Sequence, residues 1–270
     1  MSSDCIFLSH ISTGDNCTVY PIVCQLSEQY KTVHIFTLFR NRFTMKQMYE
    51  NFSNILIHEC SKEYNYCLAK KTDVFDLIQK LGSSVKVIVA GFYDFLGYNQ
   101  KHHHMPFYRE FYLQVEMNYD ELRKKHNKIY RNLERETEFY EMVVKKYGTS
   151  YIFVHDHRHI DYNHYSPRKN VTVSTDLDIP IFHPNINYYS NDKNHKYYNL
   201  WSVDLIRENI FDYGMVIEKA SEIYITDSSF CCLCCYLSIP EYTPKTIYVP
   251  SGVDIKDYYD IYKSNWKIYK

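Results

Sequence analysis

The feature that most constrains the fold is an alternation, along the whole chain, between short apolar segments and longer amphipathic ones. Apolar segments at residues 5–8, 33–38, 55–57 and 85–90 are rich in isoleucine, valine and phenylalanine, and such segments are typical of buried strands. Between them, apolar residues recur at helical spacing, as in residues 19–26. Strands that alternate with helices form right-handed βαβ units. We therefore predict a parallel sheet covered by helices.

A second alternating series begins after Gly148, which is expected to end a long charged helix because glycine is favoured just beyond a helix C-terminus. We therefore predict two Rossmann-like α/β domains with mostly parallel sheets that face a central cleft. The first domain is residues 1–147, the second is 148–253, and a tail at 254–270 packs back on the body. The later predicted segments are strands at 151–155, 171–173, 179–182, 223–226 and 246–249, and helices at 120–147, 204–211, 213–221 and 230–237. Within the helix at 120–147, the basic residues Lys124, Lys125, Arg131 and Arg135 are assigned to the solvated face.

The composition excludes several classes of protein. With 45% hydrophobic and 17% aromatic residues, the chain can bury a large core and is not disordered. A formal net charge of −1 argues against nucleic acid as a partner, since general nucleic-acid-binding proteins usually carry a basic excess. No apolar run reaches the roughly 18 residues that a membrane span needs. The start of the chain lacks the pattern of a signal peptide, so we expect a cytoplasmic protein with no membrane segment.

The nine cysteines do not predict a disulfide framework. Four of them crowd into residues 231–235, a spacing that suits buried packing in a reducing compartment. A zinc site is the sharper alternative, but such sites favour Cys-x-x-Cys pairs, and Cys60 and Cys67 are too widely spaced for one. The three histidines at 102–104 and the Asp-Leu-Asp motif at 176–178 are interpreted as loops. We therefore predict no metal site.

Side chains that can carry chemistry follow three of the predicted strands, at residues 10–16, 155–161 and 226–229. The last of these turns, Thr-Asp-Ser-Ser before an apolar run, leaves backbone N–H groups unpaired at a helix start and is a candidate anion site. Each turn also has a simpler interpretation, because serine and aspartate are ordinary helix N-caps and an arginine at a strand end is often a surface ion pair. Their coincidence at equivalent strand ends favours a ligand site, since open parallel sheets bind ligands beyond those ends.

These turns resemble those of the GT-B glycosyltransferases, in particular the fucosyltransferase-like group with its small bacterial and large-virus members. Residues 10–16 are similar to the His-x-Gly-Leu-Gly-Asp turn of that group, with Ser12 and Thr13 in place of Gly-Leu. Residues 151–158 are similar to the strand and Val-His-x-Arg-Arg turn whose arginine grips the donor diphosphate. Residues 211–230 look like the last helix, strand and phosphate-binding turn of the family. The resemblance spans most of the chain.

The resemblance implies a GT-B-like fold and the activity of an inverting hexosyl- or pentosyltransferase that needs neither a metal nor a cofactor. Its donor would be a nucleotide-diphosphate-sugar, and its acceptor would be a hydroxyl of a glycan or glycoprotein. A homodimer is compatible with this assignment. If the source is viral, the expected compartment is the host cytoplasm.

The resemblance also assigns roles to single residues. Asp15 is the first choice for the base that activates the acceptor hydroxyl, and His10 is the second. Arg158 is expected to make bidentate hydrogen bonds to the donor phosphates. Glu218 either contacts the ribose or sugar or is a solvated helix residue. The other candidates for binding the donor are His155, His183, Asn185, Asp227, Ser228 and Ser229.

The competing hypothesis is a non-catalytic nucleotide- or glycan-binding module that kept the fold and lost the base. The altered turn at Ser12 and Thr13 supports it. A different phosphate-ester enzyme is a third interpretation. The chain contains neither a Gly-x-x-x-x-Gly-Lys-Ser/Thr nor a Gly-x-Gly-x-x-Gly motif, which argues against nucleotide kinases and dehydrogenases.

Overall fold

The structure is a computed structural model that describes residues 3–10, 12–60, 71–91, 107–155, 171–186, 205–249 and 265–269. The chain divides into two compact units, Met1–Tyr130 and Arg131–Lys270. Each unit is built around its own parallel sheet with helices connecting the strands. The predicted α/β fold class, with two Rossmann-like units, is confirmed.

The sheet of the first unit has the strand order β3-β2-β1-β4. Every residue of the two central strands β1 and β2 is buried, as expected where helices cover both faces of a parallel sheet. Strand β1 pairs in parallel with β2 on one side and with β4 on the other, so the residues that follow these three strands emerge at one edge. The strands are Cys5–Leu8 (β1), Val33–Leu38 (β2), Ile55–Cys60 (β3) and Lys86–Val89 (β4).

The described helices of the first unit connect and cover these strands. The longest begins at Thr13, and the side chain of Ser12 caps it by accepting a hydrogen bond from the Asp15 N–H. One face of the helix that follows β3 packs on a core cluster that includes Ile6, Leu8 and Phe36. The helices are Thr13–Gln29 (α1), Arg42–Met48 (α2), Lys71–Leu81 (α3), Phe107–Gln114 (α4) and Tyr119–Lys125 (α5).

The second unit has a larger sheet in the order β11-β10-β9-β5-β6 and a separate pair, β7-β8. All of the pairings between these strands are parallel. Strand β11, near the end of the predicted tail, joins β10 at the edge of the sheet, whereas residues 254–264 of that tail lie outside the described residues. The strands are Ile152–His155 (β5), Ile181–Phe182 (β6), Asn185–Ile186 (β7), Ile206–Arg207 (β8), Glu222–Thr226 (β9), Lys245–Tyr248 (β10) and Trp266–Tyr269 (β11).

The helices described in the second unit are Leu133–Tyr147 (α6), Gly214–Glu218 (α7) and Ser229–Cys234 (α8), with a 3₁₀ helix at Ile210–Tyr213. The prediction of one helix over 120–147 is wrong, because α5 and α6 are separate. Asn132 starts α6 by accepting a hydrogen bond from the Arg135 N–H at 3.1 Å, and asparagine is a strong N-cap. None of the helices in the described ranges is long and apolar enough to cross a membrane.

Two other predicted segments differ in the structure. The described part of 204–211 forms β8 and the start of the 3₁₀ helix. There the Asn209 side chain accepts a hydrogen bond from the Phe211 N–H, and such local bonds compete with an α-helix. Residues 171–173 form no strand. Instead, the Tyr248 hydroxyl donates to the carbonyl of Thr172, so a side-chain bond replaces a strand ladder.

The boundary between the units falls at 130/131 rather than at the predicted 147/148. The reason is α6, which packs within the second unit against α7 and the 3₁₀ helix. Its Phe139 and Val143 are completely buried, and the Phe139 ring lies 5.0 Å from that of Tyr213. Gly148 ends the helix as predicted, but the helix that it ends belongs to the unit that follows.

Candidate functional site

The turn after β1 brings the two predicted catalytic residues together. His10 Nδ1 lies 3.7 Å from Asp15 Oδ2, and the side chains are 15% and 18% exposed. The Ser12 hydroxyl donates to the same carboxylate oxygen at 2.5 Å, and its oxygen lies 3.3 Å from the Asp15 backbone nitrogen. Ser12 and Asp15 thus resemble a capping box at the start of α1. The carboxylate combines a helix-capping role with a position beside an imidazole.

The His10 ring packs on residues that the sequence analysis did not assign to a site. The ring of Phe111, in α4, meets it edge-on, with centroids 5.3 Å apart and an interplanar angle of 69°. The last residue of that helix, Gln114, accepts a hydrogen bond from the Gly91 N–H at 2.5 Å. The available sequence signal was the position of Gly91, directly after the strand predicted at 85–90.

Three adjacent strands of the second unit end in predicted donor-binding residues. Strands β6, β5 and β9 are neighbours that run in the same direction. His183 directly follows β6, His155 is the last residue of β5, and Asp227 directly follows β9. The three residues therefore lie at one edge of the sheet, the edge at which open parallel sheets bind ligands.

His155 and Ser228 are in contact although 73 residues separate them, since His155 Nδ1 lies 3.1 Å from Ser228 Oγ. His155 is 3% exposed, and its ring packs on that of Phe230 with centroids 4.5 Å apart. The apolar contact fixes the imidazole beside the start of α8. A histidine nitrogen can either donate to or accept from a hydroxyl, so His155 can orient the Ser228 hydroxyl.

The turn after β9 has the predicted strand–turn–helix form. The Thr226 hydroxyl and the Asp227 N–H both donate to the Tyr248 carbonyl, at 3.3 and 3.2 Å, which ties the turn to the end of β10. Ser228 is extended, with φ −161° and ψ 179°, and α8 begins at Ser229. Both serines are half-buried at the point where the chain passes from strand to helix.

Glu218 is largely buried, and both oxygens of its carboxylate already accept hydrogen bonds from the protein. Arg131 donates to both of its oxygens at 2.6 and 2.9 Å, and the Ser238 N–H donates to Oε1 at 2.6 Å. Arg131 also pairs with Glu136, which is completely buried. Burial disfavours the Arg131 cation, but the hydrogen bonds and charges of the two glutamates outweigh this and raise its pKa. The prediction that Arg131 lies on a solvated helix face is wrong, since its side chain is only 17% exposed.

For two of the other donor-binding candidates, the structure gives a position in the fold. His183 is half-buried. Asn185 begins β7 and pairs with Ile206 of β8. Arg158 lies outside the described residues, so its contact with phosphate stays a prediction. Within the ranges that the structure describes, no three histidine, cysteine, aspartate or glutamate side chains are grouped so that they could hold a metal ion.

Comparison with known proteins gives structural neighbours only. No protein-family model and no curated protein matches the sequence. A glycosyl transferase family 9 protein from Veillonella parvula matches with a TM-score of 0.56 at 9% identity, over 99% of this chain and 86% of its own. The E. coli heptosyltransferase WaaC with ADP-2-deoxy-2-fluoro heptose matches with a TM-score of 0.46 at 10% identity, over 99% of this chain and 93% of its own. The match to the family 9 protein shows that the fold is GT-B-like, while the resemblance to the fucosyltransferase-like group stays a prediction.

Proposed function

We propose that the protein is a glycosyltransferase that moves a sugar from a nucleotide-diphosphate-sugar to a glycan hydroxyl. The observation that carries the proposal is the contact between His155 and Ser228 at the ends of two adjacent strands. It occurs on a fold shared with a family 9 glycosyltransferase, at the sheet edge where parallel α/β folds hold phosphorylated ligands.

In this proposal the second unit holds the donor. The Ser228 and Ser229 hydroxyls donate to the diphosphate, and Arg158 adds charge-assisted bidentate bonds. Two further candidates, His183 and Asn185, hold the nucleoside. The carboxylate of Glu218 is held by Arg131 and the Ser238 N–H. It precedes the start of β9, whereas Ser228 follows the end of that strand, so we assign Glu218 a structural role and no contact with the ribose or sugar.

The first unit supplies the base. Asp15 takes the proton of the acceptor hydroxyl, with His10 as the second candidate, while the diphosphate leaves with the negative charge that the donor site stabilises. A single displacement of this kind inverts the anomeric configuration. The arginine and hydroxyl donors replace a metal at the leaving group.

A thermal-shift screen against UDP, GDP, ADP and dTDP, with and without magnesium, identifies the nucleotide, because a ligand of the folded state raises the melting temperature. The matching nucleotide sugar is then turned over in EDTA. Ser228→Ala is expected to lower kcat/KM about 100-fold, and Arg158→Ala to abolish transfer. The surface variant Lys46→Ala serves as the control. If none of the nucleotide sugars binds or reacts, the proposal is wrong.

A non-catalytic binding module is the second candidate, and one observation favours it. The Ser12 hydroxyl lies 2.5 Å from an Asp15 oxygen, so the proposed base also serves as part of a helix cap. Calorimetry separates the two functions: a module binds the nucleotide but transfers no sugar to any acceptor, and Asp15→Asn leaves its affinity unchanged.

A further inference from the structure

Gly91 lies where the His10 ring passes closest to the backbone at the end of β4. Strands β1 and β4 pair in parallel, with Leu8 opposite Val89, so the residues that follow them are neighbours. A Cβ atom added to Gly91 would lie 2.9 Å from His10 Cδ2 and 3.0 Å from Nε2. Nonbonded carbon atoms pack at about 3.5–4.0 Å. A side chain at position 91 would therefore displace the imidazole.

Helix α4 fixes both members of this contact. Gln114 accepts the Gly91 N–H at 2.5 Å, and Phe111 meets the His10 ring edge-on. The ring is thus bounded by the Gly91 backbone, by Phe111 and, at 3.7 Å from its Nδ1, by the carboxylate of Asp15. An imidazole bounded on three sides has little freedom to turn away from the carboxylate.

We propose that Gly91 and Gln114 are positioning residues, which hold the His10 ring so that its Nδ1 faces Asp15. This inference rests on the proposed function, in which Asp15 takes the proton of the acceptor. His10 Nδ1–H then orients the carboxylate, and their separation closes to a hydrogen bond in the substrate complex, as catalytic contacts often do. Gly91 acts on the reaction through His10, and Gln114 acts through Gly91.

The simpler explanation is that the backbone alone requires glycine at this position, because φ of Gly91 is +144°. The chain offers a matched control in Gly82, where φ is +86° and no atom lies within 4 Å of an added Cβ. Gly82→Ala therefore introduces backbone strain without a ring contact. Gln114→Leu removes the acceptor of the Gly91 N–H, and Gln114→Glu keeps an oxygen there.

The first test does not depend on activity. Stability is measured by urea unfolding for Gly91→Ala, His10→Ala and the double variant, with Gly82→Ala and its combination with His10→Ala as controls. We expect His10→Ala to relieve part of the cost of Gly91→Ala and none of the cost of Gly82→Ala. NMR should show the His10 ring protons shifted in Gly91→Ala and Gln114→Leu, and unshifted in Gly82→Ala. Additive energies together with unshifted ring protons overturn the inference.

The second test uses the donor found by the nucleotide screen. Gln114→Leu and Gly91→Ala should lower kcat about 100-fold, as a small misplacement of a reacting group can, with the donor KM unchanged, and Gln114→Glu should restore most of the rate. Gly82→Ala should keep the wild-type rate and pH profile. Equal loss in Gly82→Ala and Gly91→Ala overturns the inference. A wild type that turns over no donor instead overturns the proposed function, while the first test still decides how His10 is held.

Discussion

Loss of Arg131 should destabilise the second unit strongly. Arg131 pairs with Glu136, which is completely buried, and with Glu218, whose side chain is 15% exposed. Removing one member of a buried ion pair leaves an uncompensated charge and typically costs about 3–5 kcal/mol. We therefore expect Arg131→Met to lower the free energy of unfolding by that amount in urea titrations. Lys46→Met is the control, because its pair with Glu59 is 59% exposed on the lysine side and should contribute about 0–1 kcal/mol.

The partners of Arg131 also explain why the sequence misplaced it. Glu218 lies 87 residues further along the chain, and nothing local distinguishes an arginine with a distant partner from one on a solvated face. The positions of His10, Asp15 and Ser228 could be predicted because each follows a recognisable strand. The sequence predicted only that His155 and Ser228 lie at the same edge of the sheet. It did not predict their contact, because that contact also depends on how Phe230 packs against His155.

A pair of histidines should make stability depend on pH. His34 Nδ1 lies 2.9 Å from His58 Nε2. Burial lowers the pKa of both histidines. The pKa of His58 is lowered further by His34 and Lys80. At His34, the carboxylate of Asp4 opposes the lowering of the pKa, while Lys80 adds to it. The folded state thus favours the neutral rings, while the unfolded chain takes up protons near pH 6.5. The contribution of the two buried neutral rings to the free energy of unfolding is therefore complete above about pH 6.5. It is lost as the pH falls below that value and through the lower pKa values of the folded state.

The measurement is the free energy of unfolding at pH 7 and pH 5. We expect the wild type to lose more stability between these values than His58→Phe does, because the variant has one fewer group that titrates and keeps an aromatic ring against His34 and Phe36. An equal loss in both proteins would show that His58 takes up its proton as readily in the folded protein as in the unfolded chain, and would contradict the prediction.

At the scale of elements, the caps decide where helices begin. Asn132 accepts a hydrogen bond from the Arg135 N–H at 3.1 Å and starts α6. Replacing an asparagine N-cap by alanine costs about 1 kcal/mol, and replacing it by glycine costs only a few tenths. We therefore expect Asn132→Ala to lower the melting temperature of the second unit clearly more than Asn132→Gly does. The reverse order would indicate that the side chain contributes through packing rather than as a cap.

The elements that the sequence predicted well are completely buried strands, among them β1, β2, β5 and β9. Their sequences are nearly continuous apolar runs, which are typical of strands that are buried on both faces of a parallel sheet. The segment at 171–173 is also rich in β-branched residues, but it pairs with none of the described strands. Instead, the Tyr248 hydroxyl donates to the Thr172 carbonyl, and the Tyr224 hydroxyl donates to the Ser174 carbonyl. Because these tyrosines lie in β9 and β10, far along the chain, the pattern of residues within 171–173 could not show that the segment forms no strand.

For the whole molecule, the two boundaries make different predictions about fragments. A fragment of residues 131–270 keeps α6 with the unit that buries it, whereas one of residues 148–270 removes that helix. Without α6, the second unit loses the completely buried Phe139 and Val143, and Glu218 loses Arg131. Large-to-small losses in a core typically cost about 2–5 kcal/mol each, against a total stability of about 5–15 kcal/mol for a domain.

We therefore expect the fragment 131–270 to unfold cooperatively and to give dispersed amide signals in NMR spectra. The fragment 148–270 should be expanded, bind hydrophobic dyes and show no cooperative transition. Phe139→Ala within 131–270 is the intermediate case and should fold with a lower midpoint in urea. If 148–270 folds as stably as 131–270, then α6 is an appendage of the second unit, and the boundary at Gly148 describes the folding units better than the boundary at 130/131.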